Sequence, residues 1–205
     1  MAHFKAVLLA ALGCLALGAG PAFPANPLNL QSKLWILILK DRRLVADNGE
    51  FASKEEAQAF LTKALPLATA GNPKYRSGEG ALTQWLTREI AFGPGKTAKG
   101  VSVAMKEDIL EFRNGAQSAT GTHEVQFAIE DVQISELTDS KDLTENGDKA
   151  VGVIFRCISG KCIAGKWSGA PTPADWSDIS IQDSSLRAKI LAAFQMLKRA
   201  ADEPQ

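Results

Sequence analysis

The chain has 205 residues, 45% of them apolar and 22% charged, and its 23 Lys+Arg balance 23 Asp+Glu for a formal net charge of zero. That composition can bury a core and excludes wholesale disorder. The length suggests one domain, or one domain with an appendage, and the absence of a basic excess or stripe argues against a nucleic-acid partner.

His3 and Lys5 open the chain, residues 6–18 are apolar, and Gly20-Pro21-Ala22-Phe23-Pro24-Ala25 supplies helix breakers and small residues. This is the three-part pattern of a cleavable signal peptide. Residues 1–25 are therefore expected to be removed by a cut after Ala25 or Ala22, leaving a periplasmic or secreted protein. The apolar stretch of about thirteen residues is shorter than the roughly 20 that span a bilayer. A lipoprotein would use Cys14, but Ala11-Leu12-Gly13 matches a lipobox poorly. The later apolar run, residues 34–39, has the length of a buried strand, so no transmembrane segment is expected after cleavage.

Residues 26–80 read as an N-terminal strand-helix segment. The strand is 34–39, Asp47-Asn48-Gly49 is turn chemistry, and the helix covers 53–70. Ser53 with Glu56 forms a capping box. Ala57, Phe60, Leu61, Ala64, Leu65 and Ala68 make an apolar stripe at helical spacing. Pro66 predicts a kink or an end near Leu65. Residues 71–81, rich in Gly, Ser and Pro, read as a linker.

From residue 81 the pattern changes to short runs of period two. Val101, Val103 and Met105 alternate with smaller residues, Lys106-Glu107-Asp108 reads as a polar turn, and Leu110 and Phe112 resume the alternation before Asn114-Gly115, a tight-turn signal. Val125, Phe127 and Ile129 share one face. The phase then slips to Val132 and Ile134, which predicts a bulge. Residues 138–149 form a polar loop. Val151, Val153, Phe155 and Cys157 alternate, and Cys162-Ile163 begins a return strand. Ile179 and Ile181 mark a last short strand. Asp183 or Ser184 then caps an amphipathic helix whose core face carries Leu186, Ile190, Ala193, Phe194 and Leu197.

The expected fold is therefore α+β, a bent antiparallel sheet capped by a C-terminal amphipathic helix. The segments that carry this are the hairpin 101–114, the strand 122–137 with its Glu130-Asp131-Val132 slip, the pair 151–163, and Ile179-Ser180-Ile181-Gln182-Asp183 leading into the helix. In order of elements residues 84–200 resemble the pleckstrin-homology-like fold, as it occurs in exported bacterial proteins of unknown function. Residues 26–80 have no counterpart in that pattern. In pleckstrin-homology domains a basic loop between the first strands binds lipid head groups. The resemblance thus points to Lys96 and Lys99, in Gly93-Pro94-Gly95-Lys96-Thr97-Ala98-Lys99-Gly100. A periplasm is not expected to supply phosphoinositides, and the loop lacks the spacing of a nucleotide phosphate loop, so a solvated turn is the plainer expectation.

Cys157 and Cys162 are separated by four residues, Ile158-Ser159-Gly160-Lys161, a hairpin-turn length. An exported chain that keeps these two cysteines should pair them as a structural disulfide. A redox pair would more often be Cys-x-x-Cys opening a helix. His123 lies in phase with Val125, Phe127 and Ile129 and is expected at the core edge, hydrogen-bonded or half-exposed. Zinc would need ligands beyond it. Trp167 and Trp176 flank a Pro-rich loop; they either anchor a partner or, the favoured expectation, cover the open end of the sheet. Asp139, Asp142, Glu145 and Asp148 crowd one loop without the spacing of a calcium loop.

These features predict an exported, non-catalytic binding or interaction protein, with no cofactor and no metal, acting on a protein or envelope ligand through Trp167, Trp176, Lys96 or Lys99. The alternatives are a periplasmic enzyme or enzyme accessory built on an unrecognised carboxylate site, and a structural envelope protein. Two carboxyls close together in a concave site would favour the enzyme.

Overall fold

Three long strands, β2 (Leu82–Pro94), β3 (Val101–Arg113) and β4 (Ala116–Ala128), form the frame of the molecule in an antiparallel meander. The computed structural model describes residues 51–70, 73–76, 82–114 and 116–203. The expected signal peptide, the expected 34–39 strand and the expected Asp47-Asn48-Gly49 turn lie outside the described residues. Arg113 pairs with Ala116 at the end of the β3–β4 hairpin, and Asn114 takes a φ of 51°. That left-handed conformation is tolerated by Asn and is what a tight hairpin of right-twisted strands demands.

The frame extends on both sides into a bent seven-stranded sheet. β1 (Tyr75–Arg76) and β6 (Leu143–Thr144) lie beyond β2, while β8 (Ala164–Trp167) and β9 (Ala170–Pro171) lie beyond β4. Both edges are two-residue strands, which leaves little unpaired backbone to template another chain. Residues 71–81 were expected to be a linker, but within them Tyr75–Arg76 is sheet. The polar loop 138–149 likewise contributes β6.

A second sheet, in the order β10-β7-β5, packs its own ladder from β5 (Val132–Leu137), β7 (Gly152–Cys157) and β10 (Trp176–Ser180). The chain turns from one sheet to the other at a single 3-10 turn, Ile129–Asp131, whose Ile129 is buried. The phase slip read as a bulge is this corner: the turn rotates the apolar phase so that Val132 again faces the core. Residues 151–163 were expected to form a hairpin, and they do not. β7 pairs with β5 and β10, whereas β8 crosses to pair with β4. β7 is central and nearly all buried, so both of its edges find partners within the small sheet.

Two helices close the structure. α1 (Lys54–Ala70) packs against β2 and against α2 (Ser184–Asp202). Ser53 Oγ accepts from the Glu56 amide at 3.2 Å, and the Glu56 carboxylate accepts from the Ala52 amide at 2.8 Å. The helix does not stop near Leu65; it runs through Pro66. Proline removes a bond to the carbonyl of Thr62, but Thr62 and Pro66 both face solvent, and Ala64, Leu65 and Ala68 are buried. Hydration of the orphaned carbonyl and burial of the next turn outweigh the defect. Asp183 caps α2 by accepting from the Leu186 amide at 2.8 Å.

The core joins the layers through three rings. Phe127 of the large sheet meets Phe155 of the small sheet at 4.9 Å between centroids, and Phe155 meets Phe194 of α2 edge-on at 4.9 Å. Leu186, Ile190, Ala193 and Leu197 complete the buried face of α2, as the stripe predicted. Each such side chain, fully buried, contributes about 1.5–3 kcal/mol. Gly152 allows β10 to lie close, since a Cβ there would stand 1.9 Å from the Ile179 carbonyl oxygen.

Candidate functional site

Lys106-Glu107-Asp108 was read as a turn between two strands. It is instead the middle of β3, which runs unbroken for 13 residues. Alternation decides where its charges go. Val101, Val103, Met105 and Ile109 point inward, so Glu107 does too. A carboxylate in that position requires a partner, and the neighbouring strands provide two. Arg88 pairs with Glu107 across β2–β3, Glu107 with His123 across β3–β4, and His123 with Trp167 across β4–β8. Arg88, Glu107, His123 and Trp167 are thus one row across four strands.

Within this row Arg88 Nε donates to Glu107 Oε1, and His123 Nδ1 lies 3.2 Å from Glu107 Oε2. Arg88 is 1% exposed and Glu107 3%. Burial pushes the Glu107 carboxyl up, but the Arg88 guanidinium and the His123 contact outweigh it and hold the group below the usual carboxylate range. The row is flanked by rings: Trp85 lies 6.3 Å from His123, and His123 lies 5.6 Å from Trp167. The Arg88 guanidinium also sits 5.7 Å from the Trp85 ring centroid, a cation–π contact in a desolvated setting. Among the described residues, Arg88 Nη1 is buried without a hydrogen-bond partner. Burial, opposed by the Arg88 charge, pushes the Tyr75 pKa up to about 12.

Opposite the row stands β10. Its Trp176 and Asp178 join Trp85, Glu107, His123 and Trp167 around a cavity of about 410 Å³. Ser177 and Thr172 add hydroxyls to its wall. Burial raises the Asp178 pKa to about 6; the Arg88 charge opposes the rise, while Glu107 and Asp142 add to it. Its one direct partner among the described residues is the Ser180 hydroxyl, at 3.4 Å. Trp176 and Asp178 also form a wall of a wider groove, about 840 Å³, over the outer face of the small sheet.

The structure brings Trp167 and Trp176 to the same cavity. They are less buried than expected of large aromatics: Trp167 is 37% exposed and Trp176 54%. Lys96 and Lys99 are elsewhere. The Glu130 carboxylate fills their loop, Oε1 accepting from the Lys96 amide at 2.8 Å and the Thr97 amide at 3.1 Å. Lys96 Nζ pairs with Asp131 at 2.7 Å and Lys99 Nζ with Glu203 at 3.5 Å. A Cβ at Gly100 would lie 1.6 Å from Glu130 Oε1, so a side chain there would displace that carboxylate. Cys157 and Cys162 are disulfide-bonded, with Cα atoms 5.6 Å apart. They staple the end of β7 to the crossover toward β8, in place of a hairpin.

Arg88, Glu107, Asp178 and Trp85 were not singled out from the sequence. Glu107 was legible in principle, being in phase with Val101, Val103 and Met105. Among the described residues, no group of three or more His, Cys, Asp or Glu is placed to hold a metal ion, and no helix is long and apolar enough to cross a membrane. The chain matches no family model, no curated protein and no solved structure.

Proposed function

We propose that this is an exported, non-catalytic binding protein of pleckstrin-homology-like build, whose ligand occupies the cleft under Trp167 and Trp176. The single observation that carries the reading is the cavity itself: half-exposed indoles at its mouth, over a floor whose charges are paired and fixed. Concave, largely apolar sites with a few placed polar groups are where small molecules bind. Two sheets and a closing C-terminal helix support the pleckstrin-homology-like build, and a disulfide-bonded pair fits an oxidising compartment. The lysine loop is the weaker candidate, because a carboxylate of the chain already occupies its amides.

A second reading, an enzyme, draws on one observation. Glu107 and Asp178 line the same cavity with pKa values pushed in opposite directions, as an acid/base pair would be. Binding is favoured because both Glu107 oxygens are engaged, by Arg88 and His123, whereas Asp178 in the same wall has no ion-pair partner among the described residues, its contact being the Ser180 hydroxyl. Tryptophan fluorescence titration with a panel of small molecules tests the proposal. Ligands should shift the emission of the wild type and bind much less to Trp167→Ala, and mass spectrometry should recover them unchanged. Turnover of a bound compound would support the enzyme; equal binding to both proteins would move the site elsewhere.

A further inference from the structure

We propose that the cleft takes an organic cation, a primary or quaternary amine, seated against the indoles of Trp167 and Trp176 with Asp178 as its counter-charge. The inference rests on the binding reading above and names the ligand class for that site.

The argument starts from the charges around the cavity. Arg88 on β2 is spent on Glu107 of β3, and it lies behind that carboxylate without lining the cavity. An anion entering the cleft would therefore meet the Glu107 and Asp178 carboxylates before any exposed cation. Asp178 is different. It has no ion-pair partner at salt-bridge distance among the described residues, and it stands in the cavity wall beside Trp176. The groups that act on its charge are Arg88 from β2, Glu107 from β3, Tyr75 from β1 and Asp142 from the loop before β6; His123 of β4 lines the same cavity, and Lys141, Arg156 and Lys161 line the wider groove on its other side. Arg88 and Glu107 cancel to first order, and Asp142 adds a second negative charge. Within the tryptophan cavity no lysine or arginine among the described residues lines the wall beside Asp178, and a ligand cation would take that place.

The walls fit the same class. Indole is the strongest of the aromatic faces for an ammonium group, and a desolvated cation–π contact is worth more than an exposed one. Trp85 already faces the Arg88 guanidinium, while Trp167 and Trp176 are half-exposed at the mouth. A cation that takes up this place would also favour ionised Asp178 over its protonated form. Its affinity is then linked to pH through a group that titrates at about 6.

The experiment compares choline and n-butylamine with 3,3-dimethyl-1-butanol, the uncharged isostere of choline, by calorimetry and tryptophan fluorescence on the full chain. The expected result is about tenfold tighter binding of the cations than of the isostere. That contrast should disappear in Asp178→Asn, a near-isosteric change that keeps the wall in place. Binding should also weaken in Trp167→Ala, which alters the cavity but not the wider groove beyond Trp176. Choline affinity should rise about tenfold from about pH 5 to about pH 7.5 in the wild type and stay flat in Asp178→Asn. Equal affinity for choline and its isostere overturns the cation inference and leaves the binding reading standing. Cation binding unaffected by Asp178→Asn, or by Trp167→Ala, overturns the placement. Failure of these probes and of the wider small-molecule panel removes both readings. The wild-type comparison of choline with its isostere needs no variant, so a misfolded mutant does not decide the outcome.

Discussion

Glu107 and His123 face each other across the β3–β4 ladder with Oε2 and Nδ1 3.2 Å apart, and the other Glu107 oxygen accepts from Arg88. The carboxylate is thus the hinge of the row: removing it strands a guanidinium that is 1% exposed. Breaking a buried ion pair by deleting one partner typically costs about 3–5 kcal/mol. Glu107→Gln should therefore destabilise the protein by about 3 kcal/mol at neutral pH, measured by urea unfolding. Because the folded Glu107 pKa lies below its ordinary value of 4.5, its contribution is present above that value and is lost as pH falls through the folded pKa. The gap between wild type and Glu107→Gln should accordingly narrow in acid. A gap that stays constant from neutral pH into acid would show that the pair does not hold the row.

Asp178 predicts the opposite slope. Its pKa is raised from 3.8 to about 6 by burial, so its favourable contribution is full below about 3.8 and is lost as pH rises through about 6. Asp178→Asn removes this titration. The variant should be more stable than the wild type at neutral pH by about 1 kcal/mol, after allowance for its partial contact with solvent. Thermal melts between about pH 4 and pH 7.5 should show the two curves converging on the acid side. Convergence on the alkaline side would refute the assignment.

How much of this was legible follows from what a one-dimensional pattern can encode. The stripes of Ala57 to Ala68 and Leu186 to Leu197 are local, since helical spacing puts them on one face whatever they pack against, and both are buried. The tight-turn signal at Asn114 is local too, and Arg113 pairs with Ala116 across it. The charged triplet Lys106-Glu107-Asp108 misled because its meaning is cross-strand. Only when Arg88 and His123 are placed opposite does Glu107 become a paired inward residue. The same reason hid Asp178, whose neighbours come from β1, β2, β3 and the loop before β6. Trp167 and Trp176 were singled out because they flank a Pro-rich loop, with covering the sheet end the favoured expectation, and the cavity that both line was not visible in their spacing.

The disulfide prediction survives with a changed geometry. Cys157 and Cys162 close a short loop at the end of β7, and the Cys162 amide donates to Cys157 Sγ at 2.9 Å. Thiol labelling of the native protein should find both cysteines blocked. Replacing both by Ser should cost about 2 kcal/mol on the chain-entropy model, because so short a loop loses little entropy on closure. Ligand binding should persist, since neither cysteine lines the tryptophan cavity. Two reactive thiols in the native protein would make the pair redox-active.

The lysine loop gives the last prediction. Glu130 Oε1 accepts from the Lys96 and Thr97 amides and lies 3.4 Å from Thr97 Oγ1, so a side-chain carboxylate fills the place an anionic head group would take. Charge-assisted bonds to backbone amides are stronger than neutral ones, and the loop is further tied by Lys96 to Asp131 and by Lys99 to Glu203. In the wild type, anionic vesicles or inositol phosphates should therefore bind no more tightly than expected of a neutral protein. Glu130→Ala should release the two amides, seen as faster hydrogen exchange at Lys96 and Thr97, and should raise inositol phosphate binding severalfold at low salt. Gly100→Ala should loosen the same amides by a steric route, because its Cβ would collide with the Glu130 carboxylate. Slow exchange at Lys96 and Thr97 in both variants would mean that the carboxylate does not organise the loop. Tight head-group binding by the wild type would return Lys96 and Lys99 to the site.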